Sequence, residues 1–183
     1  MPSISKLLGE DPSALRQYMQ EGSDEHLTLR RGAVVVSLIG IAAMAATTLL
    51  QTGVVRNLPD PRRGNFHTKQ VNSSEEAYSY GGPDSPIAIT THGVNMVLAS
   101  MGGAERSTRH PWLPLLATVF AGAQAVTAAR YLFWQMPKID KAWCPYCIVD
   151  ALTHFATVAL TLPESAAAIK HLSSGKRPLL ENR

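Results

Sequence analysis

At 183 residues, 45% of them hydrophobic, the chain suits one domain, and a mean hydropathy near zero is that of an ordinary soluble protein. Two cysteines exclude a disulfide-stapled miniprotein, 17% charged residues exclude a wholly disordered chain, and a net charge of +3 is too small to point to nucleic acid. The 17 basic and 14 acidic residues are nevertheless swept out of some windows and crowded into others, and that unevenness reads as a membrane protein.

Residues 1–31 form a polar arm in which Asp11 is expected to cap a short helix from Pro12 to about Gln20. Residues 32–55 carry no formal charge and lie between Arg30 and Arg31 on one side and Arg56 on the other. That run exceeds the roughly 20 apolar residues that cross a hydrocarbon core. A buried helix of a soluble domain would keep a polar stripe and run to about 12 residues. A signal peptide, suggested by Ala43-Met44-Ala45, is disfavoured by the 31 residues ahead of the run.

The connection over residues 56–84 opens with Leu58-Pro59-Asp60-Pro61. Its Ser73-Ser74-Glu75-Glu76 is a capping-box pattern, expected to start a short helix that reaches about Tyr80 before Gly81, Gly82 and Pro83 stop it. Three more spans follow. Residues 85–104 are the weakest, with Thr90, Thr91, His92 and Asn95 inside; residues 111–134 hold Arg130 near one end, placed to snorkel; residues 142–162 hold Asp150 and His154. The expected architecture is an all-α, four-helix membrane bundle over residues 32–163, with a short extra helix in the first connection and a cytoplasmic tail over 164–183.

With four spans both termini share a side. That side holds Lys6, Arg16, Arg30, Arg31, Arg106, Arg109, Lys170, Lys176, Arg177 and Arg183, against Arg56, Arg62, Arg63, Lys69, Lys138 and Lys141 on the other. The bias favours cytoplasmic termini and puts residues 56–84 outside.

Chemistry is concentrated in Trp143-Cys144-Pro145-Tyr146-Cys147, where both cysteines fall three apart at the start of the last apolar span. Pro145 suits the first helical position, so the helix's free amides and dipole point at sulfur and favour its thiolate. Cys144 is expected to be the exposed, exchanging thiol and Cys147 to lie one turn inward. A structural pair is the plain alternative; zinc is not expected there, because no second cysteine or histidine pair completes four ligands. Asp150 and His154 continue the Cys147 stripe at helical spacing and suit either a proton path or a hydrogen-bonded interhelical contact. His92 reads as a packing histidine. Glutaredoxins share CPYC, but there it lies between a strand and a helix of a soluble α/β domain, and no alternating pattern surrounds this one.

These features together resemble the vitamin K epoxide reductase family, four-helix membrane proteins with a CxxC at the start of the fourth helix. Bacterial members carry a segment like S-x-x-A-x-x-[FY]-G-x-P ahead of the second helix, matched here by Ser74, Ala77, Tyr80, Gly81 and Pro83. The resemblance covers residues 33–163. It implies that Cys144 and Cys147 are catalytic, that Ser74, Ala77, Tyr80 and Gly81 cap a quinone pocket, and that a menaquinone, ubiquinone or phylloquinone is the electron acceptor. Tyr78 and Tyr80 would cover the ring or anchor at the interface. It further implies a thioredoxin-like or other dithiol partner and a bacterial inner membrane with the CxxC outside. Two departures stand. Residues 53–85 lack the second cysteine pair of the family, with Lys69 near the place where one of them is expected, and Ala151 occupies the position where animal members carry an aromatic residue. A non-catalytic subunit or assembly factor of a membrane complex is the alternative function.

Overall fold

The computed structural model describes residues 9–175, and among them the architecture is all-helical. Helix α1 (Pro12–Glu21) has Asp11 as its cap, whose carboxylate accepts from the Ser13 N–H, as expected. Helix α2 (Glu25–Gln51) starts seven residues before the uncharged run, because Asp24 accepts from the Leu27 N–H and caps the chain there; it also stops four residues short of Val55. Burial works to raise the Asp24 carboxyl, but the bonds from Leu27 and Tyr18 outweigh it and hold it below its ordinary range.

The first connection holds α3 (Thr68–Asn72), which the sequence did not signal, and a single 3-10 turn (Glu76–Tyr78) in place of a helix reaching Tyr80. The capping box does not form: the Ser74 hydroxyl donates backwards to the Val71 carbonyl at 2.9 Å. Helix α4 (Ser85–Ser100) is followed by α5 (Arg106–Arg109), α6 (Trp112–Arg130), a π-helical stretch (Tyr131–Asp140) continuous with α6, and α7 (Pro145–Ser173). Arg130 therefore lies well inside a 29-residue run, not near its end. The wider π winding coincides with Pro137, which has no N–H to give an α-helical ladder. Helix α7 continues through Pro163 to Ser173, beyond the expected stop at residue 162.

Three of these helices are long and apolar enough to cross a membrane: Glu25–Gln51, Trp112–Asp140 and Pro145–Ser173. The distribution of side-chain size fits a lipid solvent. Along α2 the buried positions include the small or polar Ala33, Ser37, Gly40 and Thr47 beside Met44, with Leu27 and Leu50 buried near its two ends, while Val35, Leu38 and Ile39 are exposed. Close approach of small residues is how helices associate when lipid removes the hydrophobic incentive. Helix α2 packs along α4 and α7, and α7 along α6, whereas α4 and α6 meet far less extensively.

Polar clamps fix both ends of α4. At its start the Gln51 amide donates to Asp84 at 2.7 Å and its carbonyl accepts from the Ser85 N–H at 3.2 Å, while Thr47 donates to Ser85 at 2.7 Å. At its end two buried guanidinium groups take up carbonyls left without intrahelical partners. Arg30 donates to Ala99 at 2.7 Å and Gly102 at 2.8 Å; Arg106 donates to Leu98 at 2.7 Å and Met101 at 2.8 Å and pairs with buried Glu164. Breaking such a buried pair from one side typically costs about 3–5 kcal/mol.

Candidate redox site at the head of the last helix

Pro145 opens α7 where a missing N–H costs nothing, and Cys144 is the cap, its Sγ accepting from the Cys147 N–H at 3.1 Å. The two cysteines are joined as a disulfide across a Cα–Cα distance of 5.2 Å.

Cys144 is not the exposed member of the pair: its relative exposure is 0%, against 7% for Cys147. The cause is the first connection, which folds back across the helix start. Phe66 pairs with Trp143, the His67 N–H donating to the Trp143 carbonyl and the Trp143 N–H to the Asn65 carbonyl, both at 2.9 Å. The Asn65 amide reaches the Lys141 carbonyl at 2.6 Å, and the Gln70 amide the Asp140 carbonyl at 2.7 Å. This strap sets Val71 against both cysteines, with Met136 and Ala142 completing the cluster. Beside Val71, the buried Asn72 amide donates to Cys144 Sγ at 3.3 Å and Cys147 Sγ at 3.6 Å.

A cavity of about 490 Å³ opens from the disulfide between α4, α6 and α7. Cys147 lines it and Cys144 does not. Its apolar walls come from Met44, Ile87, Ala88 and Phe120; Asn72, Asp84, Gln124, Gln135, Asp150 and His154 supply polar atoms. A few placed polar groups in an apolar cleft of this size is the usual form of a small-molecule site. Burial pushes the Asp84 carboxyl above its ordinary range, the bond from Gln51 opposing it.

Of the residues singled out in the sequence, Cys147, Asp150, His154 and Tyr80 line the cavity, while Cys144, Ser74, Ala77 and Gly81 do not. Ala77 is fully buried and its carbonyl accepts from the Asp84 N–H at 3.0 Å; Gly81 has φ +82°, a conformation open to glycine, in the turn before α4. Tyr78 stands apart from the cavity wall, its hydroxyl bonding the Gln51 carbonyl at 2.8 Å. The Cys147, Asp150 and His154 stripe exists as spaced, and across it lies His92, fully buried, with Nε2 2.9 Å from Asp150 Oδ1. Its ring stacks on that of His154, centroids 4.3 Å apart.

A profile of the vitamin K epoxide reductase family matches residues 32–162. The chain belongs to that family. Neither the comparison with curated proteins nor that with solved structures returns a match. Membership makes the chain, at the family level, an integral membrane thiol oxidoreductase of a generally quinone-linked kind.

Within this vitamin K epoxide reductase frame, three side chains at the site carried no readable signal. Asn72, Asp84 and Gln135 belong to no spacing pattern, and their roles arise from how the connection and the π-helical stretch are laid over the helix start. His92 did stand out as a polar residue in an apolar window, but only the packing of α4 along α2 and the approach of Asp150 from α7 show what it faces.

Proposed function

We propose that the protein couples oxidation of the Cys144–Cys147 dithiol to reduction of a membrane quinone, and passes the resulting disulfide to a dithiol partner outside the cytoplasm. The observation that carries this reading is the asymmetry of the pair: Cys147 borders the cavity and Cys144 lies beneath the strap. The Cys147 thiolate delivers the electron pair to quinone, Cys144 then closes the S–S bond, and the two thiol protons leave with quinol, so electrons and protons balance. Asp150 and His154, beside Cys147 on the cavity wall, accept its proton and pass it to the reduced quinone. Tyr80 and Asn72 hold the ring from the strap side. Ser74, Ala77 and Gly81 support the pocket by shaping the turn that carries Tyr80, and do not touch the ligand.

In the same reading Cys144 is the sulfur that a thioredoxin-like or other dithiol partner attacks, so the strap lifts during exchange. Residues 53–85 contain no cysteine, and the partner's own thiols therefore meet Cys144 directly. Helix α4 is the fourth span. It is about 24 Å long at 1.5 Å per residue, and Ile87, Val94 and Val97 are exposed along it as lipid-facing positions. Termini lie in the cytoplasm and α7 begins at the outer face of a bacterial inner membrane.

The test is thiol trapping of reduced, purified protein with and without a short-chain ubiquinone or menaquinone. Stoichiometric conversion of Cys144 and Cys147 to the disulfide, with quinol formed one for one, is expected. A pair that stays reduced whatever quinone is supplied would leave the non-catalytic subunit as the better reading.

A further inference from the structure

His92, Asp150 and His154 bring three ligand atoms from two helices within 4.8 Å of one another. Both rings turn Nε2 to the same carboxylate, His92 at 2.9 Å from Oδ1 and His154 at 3.6 Å from Oδ2. The second separation is too long for a hydrogen bond, so an interhelical bond accounts for His92 alone. Around one tetrahedral ion with bonds of about 2.1 Å, ligand atoms stand roughly 3.4 Å apart, a spacing that the two separations bracket. The place of the His92 ring is built into α2: a Cβ on Gly40 would stand 2.2 Å from Nε2, so only glycine admits the ring here.

Two imidazoles and a carboxylate suit borderline divalent ions, zinc above all. Asp150 and His154 border the cavity, which leaves one side of the cluster open, the arrangement of a site with three protein ligands and an exchangeable fourth. We propose that His92 Nε2, His154 Nε2 and the Asp150 carboxylate bind a zinc-class divalent ion, and that the ion blocks quinone reduction by occupying the groups that serve Cys147. The binding half stands on the distances together with a turn of the His154 ring, which stacks within 7° of parallel on His92 and must rotate to aim its Nε2 lone pair at the same ion; the blocking half rests on the function proposed above. Neither Nδ1 has a partner among the described residues. Metal-bound histidines ordinarily donate that N–H to a second group, whose loss weakens binding about 10–100-fold. The ion is therefore exchangeable, a reversible inhibitor and not a structural fixture.

The experiment uses full-length protein in lipid nanodiscs with Cys144 and Cys147 as the disulfide, so that no thiolate competes. Zinc is titrated against a chromogenic chelator, and the loaded wild type is examined by X-ray absorption. About one zinc per chain, with two imidazoles and no sulfur in its shell, is expected. Asp150→Asn and His154→Gln should each weaken binding by at least tenfold, and chelator should restore quinone-dependent oxidation. A wild-type spectrum with fewer than two imidazoles, or affinity unchanged in both variants, would assign the zinc to His26, His67, His110 or His171 and overturn the site. Zinc bound without loss of turnover overturns the blocking half. A protein that binds zinc but never reduces quinone overturns the proposed function and leaves the metal site standing; a quinone reductase that binds none does the reverse.

Discussion

The side-chain amide of Asn72 donates to Cys144 Sγ at 3.3 Å from a loop that contributes no cysteine of its own. A donor at that position does more for a thiolate than for a disulfide, because hydrogen bonds to charged groups are worth about 1.5–3 kcal/mol. Asn72→Leu should therefore raise the thiol pKa of the reduced pair and cut the thiolate fraction at neutral pH about tenfold or more. Rates of iodoacetamide alkylation across pH check this; an unchanged profile would show that the amide only packs.

The strap makes an independent prediction about access. Removing the Asn65 amide with Asn65→Ala deletes its 2.6 Å bond to the Lys141 carbonyl, a contact of the ordinary neutral kind worth about 0.5–1.5 kcal/mol. If the strap shields Cys144, reduction of the disulfide by dithiothreitol should quicken roughly two- to tenfold. Equal rates in wild type and variant would mean that reductant reaches the pair by another path.

Asp84 carries a pH signature with a definite sign. Burial holds its folded-state pKa above the ordinary value of about 3.9. Stability linked to this group is thus complete below about pH 3.9 and lost as pH rises through the folded value. Asp84→Asn keeps an acceptor for Gln51 and removes the charge. Its melting temperature should match wild type near pH 4 and exceed it at pH 7; a difference that shrinks with rising pH would contradict the assignment.

Gly40 and His92 form a steric pair that a double-mutant cycle can isolate. Gly40→Ala should destabilise by about 1–3 kcal/mol, the usual cost of overpacking, because the His92 ring has to leave its seat. In a His92→Ala background the same substitution should be near neutral. Thermal unfolding of the four proteins in one detergent measures the coupling; a Gly40→Ala penalty that persists without His92 would place the clash elsewhere.

What was legible in the sequence follows what each signal physically is. Charge-free length marked α2, α6 and α7, since exclusion of charge is what lipid demands of a span. Local capping marked the helix starts at Pro12 and Pro145, because Asp11 and Cys144 act on neighbours two and three residues away. The Asp24 cap hid behind Arg30 and Arg31, whose charges suggested that the helix began later. Those two arginines separate once folded: Arg30 is buried against α4, while Arg31 stays exposed and donates to the Met19 carbonyl at 2.9 Å. Burial of Cys144 was out of reach for a different reason. It depends on backbone pairing between Asn65–His67 and Trp143, more than seventy residues apart, which no local pattern encodes.

The arginine clamp on α4 bears on the lipid around it. A helix of 16 residues, about 24 Å, falls short of a hydrocarbon core near 30 Å, and its last carbonyls are met by guanidinium groups and not by headgroups. Were α4 the fourth span with the orientation proposed above, the inner leaflet would have to dip towards the protein along that flank, a local thinning that costs fractions of a kcal/mol per ångström. On that reading acyl chain length becomes a variable to which the protein's conformation is mechanically coupled.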